Sequence, residues 1–305
     1  MISQAAAKGV RMKSYTVINP SPSVPLVANL PHGSPRIPKE VLSQFIIPES
    51  ELNEQSRKLT DWFIDELYTP IFAAGGCGVR NEVSRFVADP ERLEDDAQEC
   101  MAPRGMGVIY THGCERQPIR RSLSDSERAA LLAKYYRPYH DQLLSLITKC
   151  LNRFNTCTII DCHSYQEHPL PYEIDPHAER YDITLGTDPH HTPAWIISTV
   201  KQISRSHGLS CGLNRPFSGT YVPLSYYKDP RIHAFMLEVK RSTYMDERTT
   251  APHDGFGRVQ AAVQEIVSAI LAGTYTKASS DHRPALNSST PRFIAASEAS
   301  EALCR

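Results

Sequence analysis

Two histidines stand where an α/β protein tends to keep its chemistry. His32 comes just after the apolar run Val24–Leu30 (VPLVANL), and His163 follows Thr156–Cys162 (TCTIIDC). Small residues come next, Gly33-Ser34 and Ser164, and they leave room for an ion or a substrate close to the backbone. A single histidine in such a place is more often a hydrogen-bonded structural residue. Two at equivalent positions of one sheet make a metal pair as good a reading as the structural one. A catalytic zinc site uses three protein ligands and leaves one position open, so a third ligand is sought among His, Asp and Glu. The segment Leu59–Glu66 (LTDWFIDE) offers Asp61 and Asp65, four apart and hence on one face of a helix. Spacing alone favours a blander role for both, as carboxylates suited to the positive end of a helix.

Other groups could act beside such a centre. Glu238 lies inside the apolar run of Phe235–Arg241 (FMLEVKR), and a carboxylate in a buried strand is costly unless it is paired or functional. It could take a proton from water and pass it to a leaving amine, or it could pair with Lys240 or Arg241. Ser84–Asp96 (SRFVADPERLEDD) supplies Arg85, Asp89 and Arg92. Arginine suits bidentate recognition of a carboxylate, and an internal salt-bridge network explains the same residues equally well. Asn214–Tyr221 (NRPFSGTY) is a loop whose Asn214, Arg215, Ser218 and Thr220 could line a pocket, or form a plain surface turn. Ser34, two residues after His32, completes the candidate substrate contacts. His112, His190 and His191 lack partners at ligand spacing and read as solvent or loop residues. The chain has no GxSxG elbow, Walker A loop or GxGxxG, which argues against serine-hydrolase and nucleotide chemistry.

The elements that must hold these groups alternate between strand and helix. Apolar strands are expected at 24–30, 156–162, 181–186 and 234–239. A helix is expected over Lys58–Phe72, from the stripe Leu59, Trp62, Phe63, Leu67 and Ile71. Ser124 and Glu127 form a capping box, and a long helix runs from there to about Phe154, kinked or divided at Pro138. Thr192-Pro193 caps another helix, and 257–271 forms a closing one. Such alternation implies a largely parallel sheet covered on both faces, with ligands bound beyond the carboxyl ends of its strands. One catalytic domain is expected over 15–275, between a flexible 1–14 and a flexible Ser-, Ala- and Pro-rich tail, 276–305.

Composition narrows the partners. With 33 basic and 34 acidic residues, the net charge of −1 exerts no pull toward nucleic acid or anionic lipid. No apolar run reaches 18 residues, so no spanning helix is expected, and no secretory leader is evident. The eight cysteines contain no CxxC pair and read as reduced thiols of a cytoplasmic enzyme. The expected partner is a small anionic or polar amide substrate, bound by a monomer or a small homo-oligomer.

Eight blocks then occur in an order that resembles the N-formylglutamate amidohydrolase family. They are PHGSPRIP (31–38), LTDWFIDELY (59–68), SRFVADPERLEDD (84–96), GMGVIYT (105–111), YYRPYHDQL (135–143), IIDCHSY (159–165), DITLGTD (182–188) and EVKRSTYMDE (238–247). The resemblance implies a zinc-exopeptidase-like, three-layer α/β/α fold with a mostly parallel mixed sheet. It implies hydrolysis of an N-acyl amide, in the type case N-formyl-L-glutamate to glutamate and formate, a step of histidine breakdown. By the same resemblance, His32, Asp61 and His163 look like ligands of one Zn2+, and Glu238 like the general base and acid. Arg85 and Arg92 look like groups that polarise the scissile carbonyl or hold a substrate carboxylate. Two departures stand out. Pro35 takes the place, three residues after the first histidine, where related carboxypeptidases carry a glutamate. The loop also reads Ser218-Gly219-Thr220-Tyr221 where the family often has a Gly-Gly pair, so substrate choice is expected to differ there.

Overall fold

Side-chain alternation along the strands builds this protein, whose computed structural model describes residues 13–280, with side chains through Tyr275. The central strands are β2 (Leu26–Leu30), β4 (Cys157–Tyr165) and β7 (Ile232–Lys240). Successive residues of a strand point to opposite faces. Leu26, Ala28, Ile160, Cys162, Phe235 and Leu237 therefore join one core, while Val27, Ile159 and Ala234 join another. Strands buried on both faces read as largely apolar runs, and these do except toward their carboxyl ends, where Asn29, Asp161, His163 and Glu238 are buried.

The sheet has seven strands in the order β1-β3-β2-β4-β7-β5-β6, where β1 is Tyr15–Ile18, β3 Cys77–Asn81, β5 Ile183–Thr187 and β6 Cys211–Leu213. β3, β2, β4 and β7 run parallel. β1 is antiparallel to β3, and β5 is antiparallel to β7 while parallel to β6. The helices are α1 (Lys39–Leu42), α2 (Glu49–Lys58), α3 (Ile64–Leu67), α4 (Thr69–Ala73), α5 (Asp125–Leu131), α6 (Arg137–Phe154), α7 (Ala194–Ser206) and α8 (Gly255–Ser280). Residues of α3, α4, α7 and α8 share the first core, and α6 fills the second with Tyr139, Leu143, Leu146, Ile147 and Leu151. The result is a three-layer α/β/α arrangement on a mixed, mostly parallel sheet, as expected. No helix among the described residues is long and apolar enough to cross a membrane.

The capping box at α5 is present: Ser124 accepts from the Glu127 N–H, and the Glu127 side chain accepts from the Ser124 N–H. Ser124→Ala is expected to cost about 1 kcal/mol, read as a lower urea midpoint with an unchanged slope. Pro138 divides the long helix as expected. A π turn, Leu132–Tyr136, separates α5 from α6, and Pro138 lies at the start of α6, where its missing N–H is tolerated.

Several boundaries differ. The expected helix over 58–72 does not form as one piece: α2 ends at Lys58, a turn covers 59–63 with Phe63 in a left-handed conformation (φ 58°), and the short α3 and α4 follow. Of the apolar stripe, Leu59, Leu67 and Ile71 are buried, the last two from α3 and α4, and Trp62 and Phe63 pack partly buried from the turn. Thr192 does not cap α7: its hydroxyl donates to the Ala234 carbonyl at 2.5 Å and accepts from the Asp188 N–H at 2.9 Å. His191 is fully buried rather than solvated, with Nδ1 3.0 Å from the Ile232 carbonyl and Nε2 accepting from the Lys228 N–H. α8 runs to Ser280 instead of ending at 271. Gly273 permits this by close packing, since a Cβ there would lie 2.5 Å from the Trp195 ring. Of the flexible ends expected at 1–14 and 276–305, residues 1–12 and 281–305 lie outside the described residues, and 276–280 continue α8.

Candidate active site

One face of the sheet changes character along its length. On β4, Ile159 packs under α6, and the next residues on that face are Asp161 and His163. On β7 the series is Ala234, Met236 and Glu238, and on β2 it is Val27 and Asn29. The parallel register pairs Asn29 with Asp161 and His163 with Glu238. The apolar halves lie in the α6 core, and the polar halves at the carboxyl ends form the floor of a cavity of about 320 Å³. His163 thus lies inside β4 rather than after it, because pairing with β7 extends the strand to Tyr165. His32 lies two residues beyond β2.

The break after α2 brings in the third group. Asp61 sits in the turn, where its N–H donates to the His32 carbonyl at 2.9 Å. Its Oδ2 is 3.2 Å from His163 Nδ1 and 3.7 Å from His32 Nδ1. His32, Asp61 and His163 each present one ligand atom, all within 4.8 Å of one another, and all three residues are buried. Both imidazoles are oriented from behind. His32 Nε2 is 2.7 Å from Asp89 Oδ1, and His163 Nε2 is 3.0 Å from Asp161 Oδ1. Carboxylates on the outer nitrogens of metal-bound histidines fix the tautomer and raise ligand basicity.

The charges fit a cation at this point. Burial and the Arg85 charge push His32 down to about 4 despite Asp89, so its ring is neutral at pH 7. Burial opposes a charge on His163, yet Asp161 and Asp61 attract one strongly enough to hold its pKa well above the usual histidine range. Burial also opposes ionisation of Asp61, and the His163 hydrogen bond with the charges of His32, His163 and Arg241 overcomes it. Two imidazole nitrogens and a carboxylate oxygen suit zinc and similar divalent ions, and a bound ion would take the place of the proton these groups compete for.

Glu238 completes the floor. Only 8% of it is exposed, and Oε2 has no hydrogen-bond partner. Burial, reinforced by Asp61 and Asp161 and opposed by His163 and Arg241, pushes its pKa up to about 7. The expected ion pairs do not form: Lys240 pairs with Asp182 at 3.1 Å and Arg241 with Asp61 at 3.2 Å. Such a carboxylate is suited to proton transfer near neutrality.

The cavity walls gather most of the residues expected to meet substrate. Arg85, Arg92, Asn214, Arg215, Ser218 and Thr220 all line it. Arg85 is braced on Asp89 and Tyr110, and Arg92 on the carbonyls of Met106 and Glu91. Asn214 spends its side-chain amide on Thr187, fastening the loop to β5. Three candidates lie elsewhere. Asp89 is wholly buried and holds His32 and Arg85 instead of facing the cavity. Ser34 donates to the Glu82 carbonyl and accepts from the Arg36 N–H. Asp65 pairs with Arg80, so of these two carboxylates only Asp61 turns toward the histidines.

Three cavity residues escaped the sequence reading. Asp161 was visible in principle, as a charge two residues before His163 and hence on the same strand face. It also accepts from Asn29 and from the Tyr221 N–H, tying the 214–221 loop to the histidine. Glu91 shares Asn29 with Asp161, and burial together with Asp161 raises its pKa to about 8. Glu91, Asp161 and His163 form a second group of possible ligands, but it uses the His163 nitrogen already bonded to Asp161. Arg241, just beyond β7, reads in the sequence only as a possible ion-pair partner of Glu238, not as a partner of Asp61.

Gly186 on β5 lets the 214–221 loop close over the cavity, because a Cβ there would lie 2.1 Å from the Gly219 carbonyl oxygen. Gly186→Ala is expected to displace the loop. In steady-state kinetics it should raise KM about 10-fold or more, with metal content unchanged.

Comparison with known proteins identifies the family and the fold. The N-formylglutamate amidohydrolase family model matches residues 24–245. An N-formylglutamate deformylase of Pseudomonas putida is 29% identical over 260 residues, covering 82% of this chain and 93% of that protein. One from Pseudomonas aeruginosa is 26% identical over 257 residues, with the same coverage of 82% and 93%. The crystal structure of N-formylglutamate amidohydrolase from Ralstonia eutropha JMP134 superposes with a TM-score of 0.74 at 22% identity, covering 87% of this chain and 100% of that one. That superposition establishes the shared fold.

Proposed function

The chain belongs to the N-formylglutamate amidohydrolase family, whose members cut a C–N amide bond, and from that premise we propose that it is a metal-dependent hydrolase of N-acyl amino acids, with N-formyl-L-glutamate as its substrate. The observation that carries this reading is the convergence of His32 Nδ1, His163 Nδ1 and Asp61 Oδ2 beside the unpaired Oε2 of Glu238.

Each residue has a defined task. A divalent ion held by His32, Asp61 and His163 would supply Lewis acidity, making water more acidic and the acyl carbonyl more electrophilic. Glu238 Oε2 accepts the proton that the attacking water loses and returns it to the leaving nitrogen, so the amide ends as a free amine and a carboxylate. Arg85, held rigid by Asp89 and Tyr110, donates to the acyl oxygen as negative charge builds on it. Arg92 and Arg215 bind the substrate's carboxylates from the cavity wall. Asn214 keeps the loop of Arg215 in place.

The test is metal analysis of the purified protein with an assay of formate release. Formate released from N-formyl-L-glutamate in proportion to bound metal is the expected result. A metal-free protein that cannot be activated by zinc or another divalent ion would refute the reading. One observation favours a second reading, a different acyl amide on the same centre. Thr220 lines the cavity with a hydroxyl that has no hydrogen-bond partner, in the loop that departs from the family's Gly-Gly. A metal-loaded protein that is silent on N-formyl-L-glutamate but hydrolyses another N-acyl amino acid decides for it.

A further inference from the structure

Arg241 has no part in the scheme above, yet it is 3% exposed and its guanidinium is spent within the site. Burying such a charge is unfavourable unless its donors are satisfied. Here they are: Nη1 donates to the Lys58 carbonyl at 2.6 Å and Nε to Ser164 Oγ at 3.3 Å. Nη2 donates to Asp61 Oδ1 at 3.2 Å and to the Ser164 carbonyl at 3.4 Å. One planar group thus joins the end of α2, the strand residue next to His163, and Asp61.

The two oxygens of Asp61 are thereby divided. Oδ1 is taken by Arg241, and Oδ2 faces both histidine Nδ1 atoms. We propose that Arg241 is a positioning residue that holds Asp61 as a one-oxygen ligand, keeping Oδ2 on the metal and Oδ1 off it. The inference rests on the metal-centre reading above. It also accounts for an arginine at this position, since a lysine could supply the charge but not the rigid fork that reaches acceptors on three residues at once.

The test loads the wild type, Arg241→Lys and Arg241→Gln with Co2+. Three quantities are measured: metal affinity by chelator competition, the visible absorption of bound Co2+, and unfolding of the metal-free proteins. Arg241→Gln should bind Co2+ about 10–100-fold more weakly. Its absorption bands should move as Asp61 rotates and offers both oxygens. Arg241→Lys should fall between the two. A purely structural arginine would lower the metal-free stability and leave affinity and spectrum alone, and that result overturns the proposal. Should neither variant fold, a structure of the Co2+-loaded wild type decides. Asp61 bound through Oδ2 with Oδ1 still on Arg241 supports the proposal, and Asp61 bound through both oxygens overturns it. A wild type that takes up no Co2+ removes the metal centre and this role together. A wild type that binds while both variants match it removes only the role of Arg241.

Discussion

Glu238→Gln should bind zinc as the parent protein does and lose about 10²–10⁴-fold in kcat, the usual contribution of a positioned acid–base group. Glutamine preserves the shape of the side chain and removes only its capacity to take and return a proton. The position is favourable for such a test because Oε2 makes no hydrogen bond. No network collapses when its charge is removed. The parallel register places Glu238 directly beside His163, and its raised pKa, about 7, keeps the proton exchangeable near neutrality. Because the acid–base role acts mainly in the transition state, kcat and kcat/KM should fall together, with KM little changed. Zinc-loaded Glu238→Gln protein with full turnover would end the assignment.

His163→Ala is expected to abolish metal retention and with it all activity above background. In the wild type, a free metal concentration 100 times Kd should stabilise the fold by about 2.7 kcal/mol, seen as a rise in Tm over the chelated protein. The variant should show no such rise. His163 is the residue for this test because both of its nitrogens are committed, Nδ1 toward Asp61 and Nε2 toward Asp161. Its loss takes away one ligand and strands the carboxylates that orient it. A metal-dependent rise in Tm in the variant equal to that of the wild type would place the ion elsewhere.

Much of this site was legible before any coordinates. Residues two apart in a strand share a face, so the run Ile159 to His163 and the placement of Glu238 in FMLEVKR already carried an apolar half and a polar half. Strand-end positions singled out His32 and His163, and the ordered blocks named the family. The capping box at Ser124 and the break at Pro138 were equally readable, because both are set within one turn of chain.

What the sequence could not decide was which partners meet. Asp61 and Asp65 looked alike as two carboxylates four apart on an apolar stripe. Only the left-handed residue Phe63 and the bond from the Asp61 N–H to His32 turn the first inward, while Arg80 holds the second outside the site. Asp89 and Ser34 had the chemistry of substrate contacts, and the fold uses one to brace His32 and the other to tie a loop. Nothing local to Arg241 pointed to its acceptors, since they lie on Lys58, Asp61 and Ser164, 77 to 183 residues away. Periodicity determines the face a side chain takes and whether it is buried. Strand order, register and loop path determine its neighbours, and at this site the neighbours decide which carboxylate faces both histidines and which only braces them from behind.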